Sequence, residues 1–279
     1  MFLEKKIQSA TKILKDNNIP SSRLDAEVII SNILGFEREN LINNDKMIIN
    51  NKIMKKYDSA IYRRSKSEPI AYITGKKEFW SHNFIVNKST LVPRPETEIL
   101  IHKIVKIFKN KKIIIMDIGT GSGCILLSIL KELTYAKGIG IDISPKAIKI
   151  AEENSKKMNL SNRAKFKVLN VDKIFVNKFD LVVSNPPYIP IRDLKNLSKD
   201  IKNYEPITAL NGGVDGLDLI KKVIYKSSIA LKKKGLLAIE IGNGQYRKVS
   251  NLLKNRGFKE LSKEYDYKDN VRCIISTKL

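Results

Sequence analysis

Asn185-Pro186-Pro187-Tyr188 follows directly on the apolar run Phe179-Asp180-Leu181-Val182-Val183-Ser184. A run of this length rich in Val and Leu and bounded by prolines reads as a buried strand that stops abruptly. Two consecutive prolines cannot extend a sheet, and they confine the turn to a narrow range of backbone angles. The turn therefore fixes an amide side chain, two carbonyls without neighbouring amide hydrogens, and an aromatic ring at a strand's C-terminal end. Open α/β sheets bind their ligands at that end. Such a set can accept the two N–H bonds of a planar amide or aromatic amine and cover it with a ring.

A second constellation lies earlier, at Asp117-Ile118-Gly119-Thr120-Gly121-Ser122-Gly123. Glycines at 119, 121 and 123 let the backbone approach a ligand closely between a strand and a helix N-terminus. Dinucleotide-binding loops use a wider final spacing, and they hold a pyrophosphate. Here Asp117 stands beside the loop, where it repels phosphate and suits an ammonium group. Asp142 lies about 20 residues further on, the place for a carboxylate that accepts ribose hydroxyls. Asp172 falls at the end of the next strand and is placed to take the amino group of an adenine. An amine, a ribose and an adenine without a phosphate describe S-adenosylmethionine. Its sulfonium-bound methyl is already electrophilic, so the remaining task is to align a poor nucleophile. Asn185 and the Pro186 carbonyl do this if they accept the nucleophile's N–H bonds, and they favour the positive charge that develops on nitrogen. Tyr188 stacks on the planar group. No base is needed before transfer.

These residues require a strand-helix alternation to position them. Ile113–Met116, Gly138–Ile141, Phe166–Leu169 and Leu181–Ser184 read as successive strands. Helices are expected over Cys124–Leu133, Lys146–Met158, Leu217–Leu231 and Gln245–Asn255, with a fifth strand at Leu236–Ile241. Two last strands, at about 258–266 and 271–277, can pair as a hairpin. The pattern predicts an α/β fold with a mostly parallel seven-stranded sheet and helices on both faces. Pro145 sits where a helix tolerates it, at the first position. Thr97 is expected to cap the helix Ile99–Phe108. The stretch Ile189–Asp215 breaks the alternation, and a loop of that length in a compact domain is usually functional.

Upstream, residues 1–68 read as a small helical bundle. Ile7, Ala10, Ile13 and Leu14 recur at helical spacing, and Leu24, Val28, Ile29 and Leu34 mark a second helix stopped by Gly35. Residues 69–95 form a linker with a short hairpin through Phe79–Val86, and residues 96–279 form the ligand-binding domain.

Composition excludes several classes. The 279 residues contain two cysteines and two histidines, too few for a disulfide framework or a metal cluster. No apolar stretch approaches the roughly 20 residues needed to span a bilayer. Met1-Phe2-Leu3-Glu4-Lys5-Lys6 has no signal-peptide apolar core, so a cytoplasmic location with no membrane partner is expected. The formal charge of +23 fits a polyanionic partner. Lysines spread along the whole chain, together with abundant Asn and Ile, fit a base-composition bias as well. Charge alone does not make this a nucleic-acid protein.

Over nearly its whole length the chain resembles the peptide-chain release-factor glutamine methyltransferases, the PrmC/HemK family. The resemblance is carried by Arg23-Leu24-Asp25-Ala26-Glu27, Glu68-Pro69-Ile70-Ala71-Tyr72-Ile73-Thr74-Gly75, Glu78-Phe79-Trp80 and Pro93-Arg94-Pro95-Glu96-Thr97-Glu98. It continues through the Asp117–Gly123 loop, Asn185–Tyr188, Tyr204-Glu205-Pro206, Gly212-Gly213-Val214-Asp215-Gly216-Leu217 and Glu240-Ile241-Gly242 with Gln245. Asn-Pro-Pro-Tyr is shared with DNA amino-methyltransferases; the ordered set, above all the Pro-Arg-Pro-Glu-Thr-Glu segment, is more specific. The resemblance implies a Rossmann-like S-adenosylmethionine-dependent methyltransferase domain preceded by a helical substrate-recognition domain. It further implies N5-methylation of the glutamine in the Gly-Gly-Gln motif of class 1 peptide chain release factors, with S-adenosylhomocysteine as product. The donor site then falls on Gly119 to Gly123, Asp142 and Asn185, with Lys173 nearby in place of an aromatic residue found in many relatives. The glutamine site falls on Asn185 to Tyr188. A monomer that needs no stable nucleic-acid partner is expected. Methylation of a ribosomal-protein glutamine or of a DNA amino group are the enzymatic alternatives, and a ribosome-binding protein that keeps only the fold is a third.

Overall fold

The computed structural model describes residues 2–176 and 178–279; Met1, the first residue of the expected helical domain, lies outside them. Two compact units emerge. The first runs to Lys76 and also takes in Ser198–Tyr204; the second is formed by Lys77–Leu197 and Glu205–Leu279.

The first unit is built on α1 (Leu3–Asp16), α2 (Ser22–Leu34), α3 (Asn51–Ser65) and the short α4 (Ile70–Thr74). Leu3, Ile7, Ala10 and Leu14 line one stripe of α1 and meet Ala26, Ile29 and Ile30 of α2 and Ile61 of α3. Ile13, which shares the apolar spacing in sequence, instead lies exposed. Gly35 ends α2 in the left-handed conformation at φ 72°. Tyr57 is fully buried, and its hydroxyl donates to the Ala26 carbonyl at 3.0 Å. Tyr57→Phe deletes that bond without changing the packing, and should lower stability by about 1 kcal/mol in urea unfolding.

Apart from Lys76, the hairpin of β1 (Lys76–Phe79) and β2 (His82–Ile85) falls in the second unit, and its turn residues Trp80 and Ser81 both have positive φ. It continues through α5 (Glu98–Phe108), β3 (Ile114–Ile118), α6 (Cys124–Glu132), β4 (Lys137–Asp142), α7 (Pro145–Lys157), β5 (Ala164–Val168) and β6 (Phe179–Ser184). Helix α8 (Lys199–Tyr204) belongs to the first unit, and α9 (Asp218–Ala230), β7 (Leu231–Glu240), α10 (Tyr246–Asn255), β8 (Phe258–Tyr265) and β9 (Val271–Lys278) complete the chain.

The seven-stranded sheet has the order β5-β4-β3-β6-β7-β9-β8. Strands β5 to β7 pair in parallel, and β9 joins antiparallel between β7 and β8. Side chains alternate across it, as the pleat requires. Ile115, Leu181 and Val183 pack with Leu100, Ile104, Leu126 and Leu130 on the α5/α6 side, whereas Met116, Val182, Leu237 and Ile239 meet Val223, Val249 and Leu253 of α9 and α10. Burial on both faces explains why these strands read as continuous apolar runs.

Strand β7 departs from expectation by starting at Leu231 rather than Leu236. Lys234 at φ 63° precedes Gly235, and the pairing with β6 jumps from Phe179–Leu231 to Leu181–Leu236. The bulge carries three exposed lysines, whose polarity hides the strand's first half in the sequence.

Candidate active site

Strand β3 starts the unit's alternation, with β4 on one side and β6 on the other. Its C-terminal end is thus the switch point of the sheet, where the loops after β3 and β6 diverge and leave a crevice. A cavity of about 400 Å³ occupies that position, within the range of small-molecule sites. Its walls include Gly119, Gly121, Asp142, Asn185 and Pro187, with Ile141, Ile143, Leu169 and Val171 as apolar lining.

Gly119 and Gly121 adopt φ of 74° and 55°, and a Cβ at either would project into open space. They keep the crevice wide enough for a ligand against bare backbone. Gly123, also at positive φ, has a different job: a Cβ there would come within 3.2 Å of Leu127, Ala151 and Phe166, so it lets the helix sit close to its neighbours. Asp142 braces the loop. Its carboxylate accepts from the amides of Gly121 (3.0 Å) and Ser144 (2.9 Å), and Ser144 in turn caps α7 through Ala147. A carboxylate offers about four lone-pair positions, so Asp142 retains acceptors for a pair of hydroxyls.

Asp117 is wholly buried behind the loop and does not line the cavity. One of its oxygens accepts from the Thr120 hydroxyl at 2.7 Å; the other has no partner among the described residues. Burial raises its pKa to about 7 against the pull of Thr120, with Asp142 adding to the rise. Between about pH 4 and 7 the folded chain therefore holds a proton that the unfolded chain releases, and stability from this group declines as pH rises through that window. Asp117→Asn should flatten the decline, measured as the urea midpoint at pH 5 and pH 7.

At the end of β6, Asn185 is tied into a buried polar chain. Its Nδ2 donates to Thr97 Oγ1 at 3.1 Å, and the Thr97 hydroxyl donates to Glu240 Oε2 at 2.7 Å. The Tyr188 hydroxyl donates to the other oxygen of Glu240 at 3.3 Å. Glu240 is 1% exposed, and burial raises its pKa to about 7 although Thr97, Arg272 and Tyr188 all favour its charge. Burial and the adjacent carboxylate hold the Tyr188 phenol protonated well above its usual range. Gln245 fixes the turn's exit, donating from Nε2 to the carbonyls of Tyr188 and Gly216 while its Oε1 accepts from the Gly242 amide. The Pro186 carbonyl accepts no hydrogen bond among the described residues.

Not all the sequence candidates converge. Thr120 and Ser122 are buried within the loop and shape it from behind. Pro186 is buried, while Pro187 lines the cavity. Asp172 is a correction. Strand β5 ends at Val168, and a 3₁₀ turn over Val171–Lys173 follows. Apolar Val171 turns inward, whereas Asp172 pairs with Lys222 at 2.9 Å and Lys173 is exposed; neither lines the cavity. Asn170, whose Oδ1 accepts from the Asp172 amide, stands in the wall instead. Thr97 is the second correction. It makes no side-chain cap to α5, because its hydroxyl is spent on Glu240.

Sequence reasoning also missed parts of the wall. Lys88–Leu91 and Pro206, Thr208 and Ala209 also line the cavity. The buried Glu205 carboxylate holds these segments together, accepting from the Arg94 guanidinium and the Val92 amide. Arg94 and Glu205 both lie in segments singled out for resemblance, but their opposite charges 111 positions apart gave no sign of contact.

Comparison with known proteins bears on what this geometry does. A family model described as the PrmC N-terminal domain matches residues 6–75, and one described as a methyltransferase domain matches residues 109–274. The release factor glutamine methyltransferase of Clostridium acetobutylicum is 38% identical, over 100% of this chain and 99% of its own. The chain belongs to the release factor glutamine methyltransferase family. A family member from Buchnera aphidicola subsp. Schizaphis graminum is 42% identical over 95% of this chain and 96% of its own. The solved catalytic domain of hMettl16, in complex with MAT2A 3'UTR hairpin 6, aligns with a TM-score of 0.57 at 15% identity, covering 82% of each chain. That likeness shows the methyltransferase fold. Family membership makes the chain an S-adenosylmethionine-dependent methyltransferase. Among the described residues, no helix is long and apolar enough to cross a membrane.

Proposed function

We propose that the chain methylates the side-chain amide nitrogen (N5) of the glutamine in the Gly-Gly-Gln motif of class 1 peptide chain release factors. The observation that carries this reading is the commitment of Asn185 Nδ2 to Thr97, which leaves the Asn185 carbonyl oxygen as an acceptor beside the glycine-lined cavity. The cavity suits S-adenosylmethionine: open space at Gly119 and Gly121, spare acceptors on Asp142, and an apolar wall of Leu169 and Val171. When bound, this donor supplies an electrophilic methyl on a sulfonium. Asn185 Oδ1 and the Pro186 carbonyl accept the two N–H bonds of the glutamine amide, drawing its nitrogen lone pair out of conjugation. The same two acceptors stabilise positive charge on nitrogen as the new N–C bond forms and the methyl leaves the sulfonium. The Tyr188 ring, anchored through its hydroxyl, stacks on the amide plane. The proton departs after transfer, when the charged nitrogen has become acidic.

The helical unit serves as the docking surface for the release factor, and the enzyme acts as a monomer. Neither role requires nucleic acid. The test offers labelled donor with a class 1 release factor, a ribosomal protein rich in exposed glutamine, and DNA in parallel. Label confined to the Gly-Gly-Gln peptide of the release factor supports the reading; label on DNA, or on none of the three, overturns it.

A further inference from the structure

Asn185 can serve the proposed transfer only in one of two orientations, and its side chain alone does not choose between them. Flipping the amide would present Nδ2 to a substrate N–H, two donors facing each other. The choice is made by the groups behind it. An ionised carboxylate accepts hydrogen bonds and donates none, so Glu240 compels both of its partners, Thr97 and Tyr188, to donate. With its single proton committed to Glu240, Thr97 Oγ1 can only accept from Asn185. The amide must then turn Nδ2 toward Thr97 and Oδ1 away from it. Thr97 and Glu240 are both buried, so water does not compete for either bond.

We propose that Thr97 and Glu240 are positioning residues that set the polarity of the Asn185 amide, delivering its carbonyl oxygen to the substrate. The proposal rests on the glutamine-methylation reading for its catalytic consequence, but the amide orientation itself exists without substrate. Neither residue touches the reacting atoms. The relay also explains why a threonine at the head of α5 leaves that helix uncapped: the hydroxyl serves the site instead.

Protonation of Glu240 would remove the compulsion, because a neutral carboxyl can donate to Thr97 and let Thr97 donate to Asn185 Oδ1. The charged and titratable groups facing Glu240 are Arg272 and Cys273 on β9, Glu96 in the turn before α5, Cys124 at the head of α6, and Tyr188. Arg272 favours the ionised form and Glu96 opposes it. Turnover is therefore expected to fall as pH drops through about 7, a limb that Glu240→Gln should erase.

The experiment compares Thr97→Val, which keeps shape and removes the hydroxyl, with Thr97→Ser, which keeps the hydroxyl, in the full chain. Thr97→Val should lower kcat about thirtyfold, with KM for the release factor and affinity for S-adenosylhomocysteine within about threefold of the parent. Thr97→Ser should retain at least about a third of kcat. Equal kcat for Thr97→Val and the parent, or a loss that Thr97→Ser shares, would overturn the proposal. A second measurement needs no turnover: in the parent and in Thr97→Ser, one Nδ2 proton of Asn185 should exchange slowly in side-chain amide NMR, and this protection should vanish in Thr97→Val. Protection unchanged in Thr97→Val overturns the relay even if the methyl acceptor proves to be something other than a release factor.

Discussion

Asn185→Ala should reduce kcat for release-factor methylation by about a thousandfold while leaving donor affinity within about threefold, an effect of the size seen on deleting one preorganised transition-state contact. The asymmetry follows from where the side chain's two ends are engaged. Nδ2 is bound to Thr97 inside the protein, and only Oδ1 is offered outward. Truncation removes the acceptor that stabilises the charge developing on nitrogen, so the loss concentrates in the transition state. Asn185→Asp should be no better: it places a second carboxylate near Glu240 and leaves Thr97 Oγ1 without a donor. Single-turnover rates with saturating donor, paired with calorimetric titration of S-adenosylhomocysteine, separate the two quantities. Substantial turnover by Asn185→Ala would remove this residue from the reaction.

Asp142→Ala is expected to act on binding. Hydrogen bonds to a charged acceptor contribute about 1.5–3 kcal/mol each, so losing two ribose contacts weakens donor affinity by about a hundredfold or more. The same substitution frees the Gly121 and Ser144 amides, loosening the loop that shapes the cavity. Asp172→Ala is the informative companion. The two aspartates look equivalent in sequence, each at a strand end, yet Asp172 does not line the cavity and instead pairs with Lys222 at its edge. Its replacement should change donor affinity by less than about threefold, since an exposed ion pair contributes little. Equal losses for the two variants would mean that the donor reaches beyond the walls described above.

The contrast between these aspartates shows what the sequence could disclose. The sheet was legible because strands buried on both faces must be apolar throughout, and helices on either side must carry apolar stripes. The glycine loop and the Asn185 turn were legible because their backbone demands restrict residue type at adjacent positions. Thr97 and Glu240 were not. A threonine before an apolar helix is the ordinary signature of a cap, and an acid closing a strand reads as solvated. Only the tertiary fold, which brings together positions 143 apart, turns the pair into a buried relay. Asp172 failed for a related reason: in a three-residue turn, burial of Val171 dictates which way its neighbours point, and a pattern of strand ends does not register that competition. The bulge in β7 was hidden by lysines that occupy strand positions without facing the core.

The assignment of Ser198–Tyr204 to the helical unit has a practical consequence. The polypeptide leaves the catalytic unit after Leu197, contributes α8, and re-enters at Glu205 to build the cavity wall. The helical unit is therefore a discontinuous fold, closed by the Tyr204 hydroxyl on the Lys66 carbonyl. A fragment ending at residue 76 would lack this closing piece, and one beginning at residue 77 would carry it unpartnered. Swapping helical units between family members to exchange substrate preference thus calls for two grafts made together, the leading helices and the seven-residue insert.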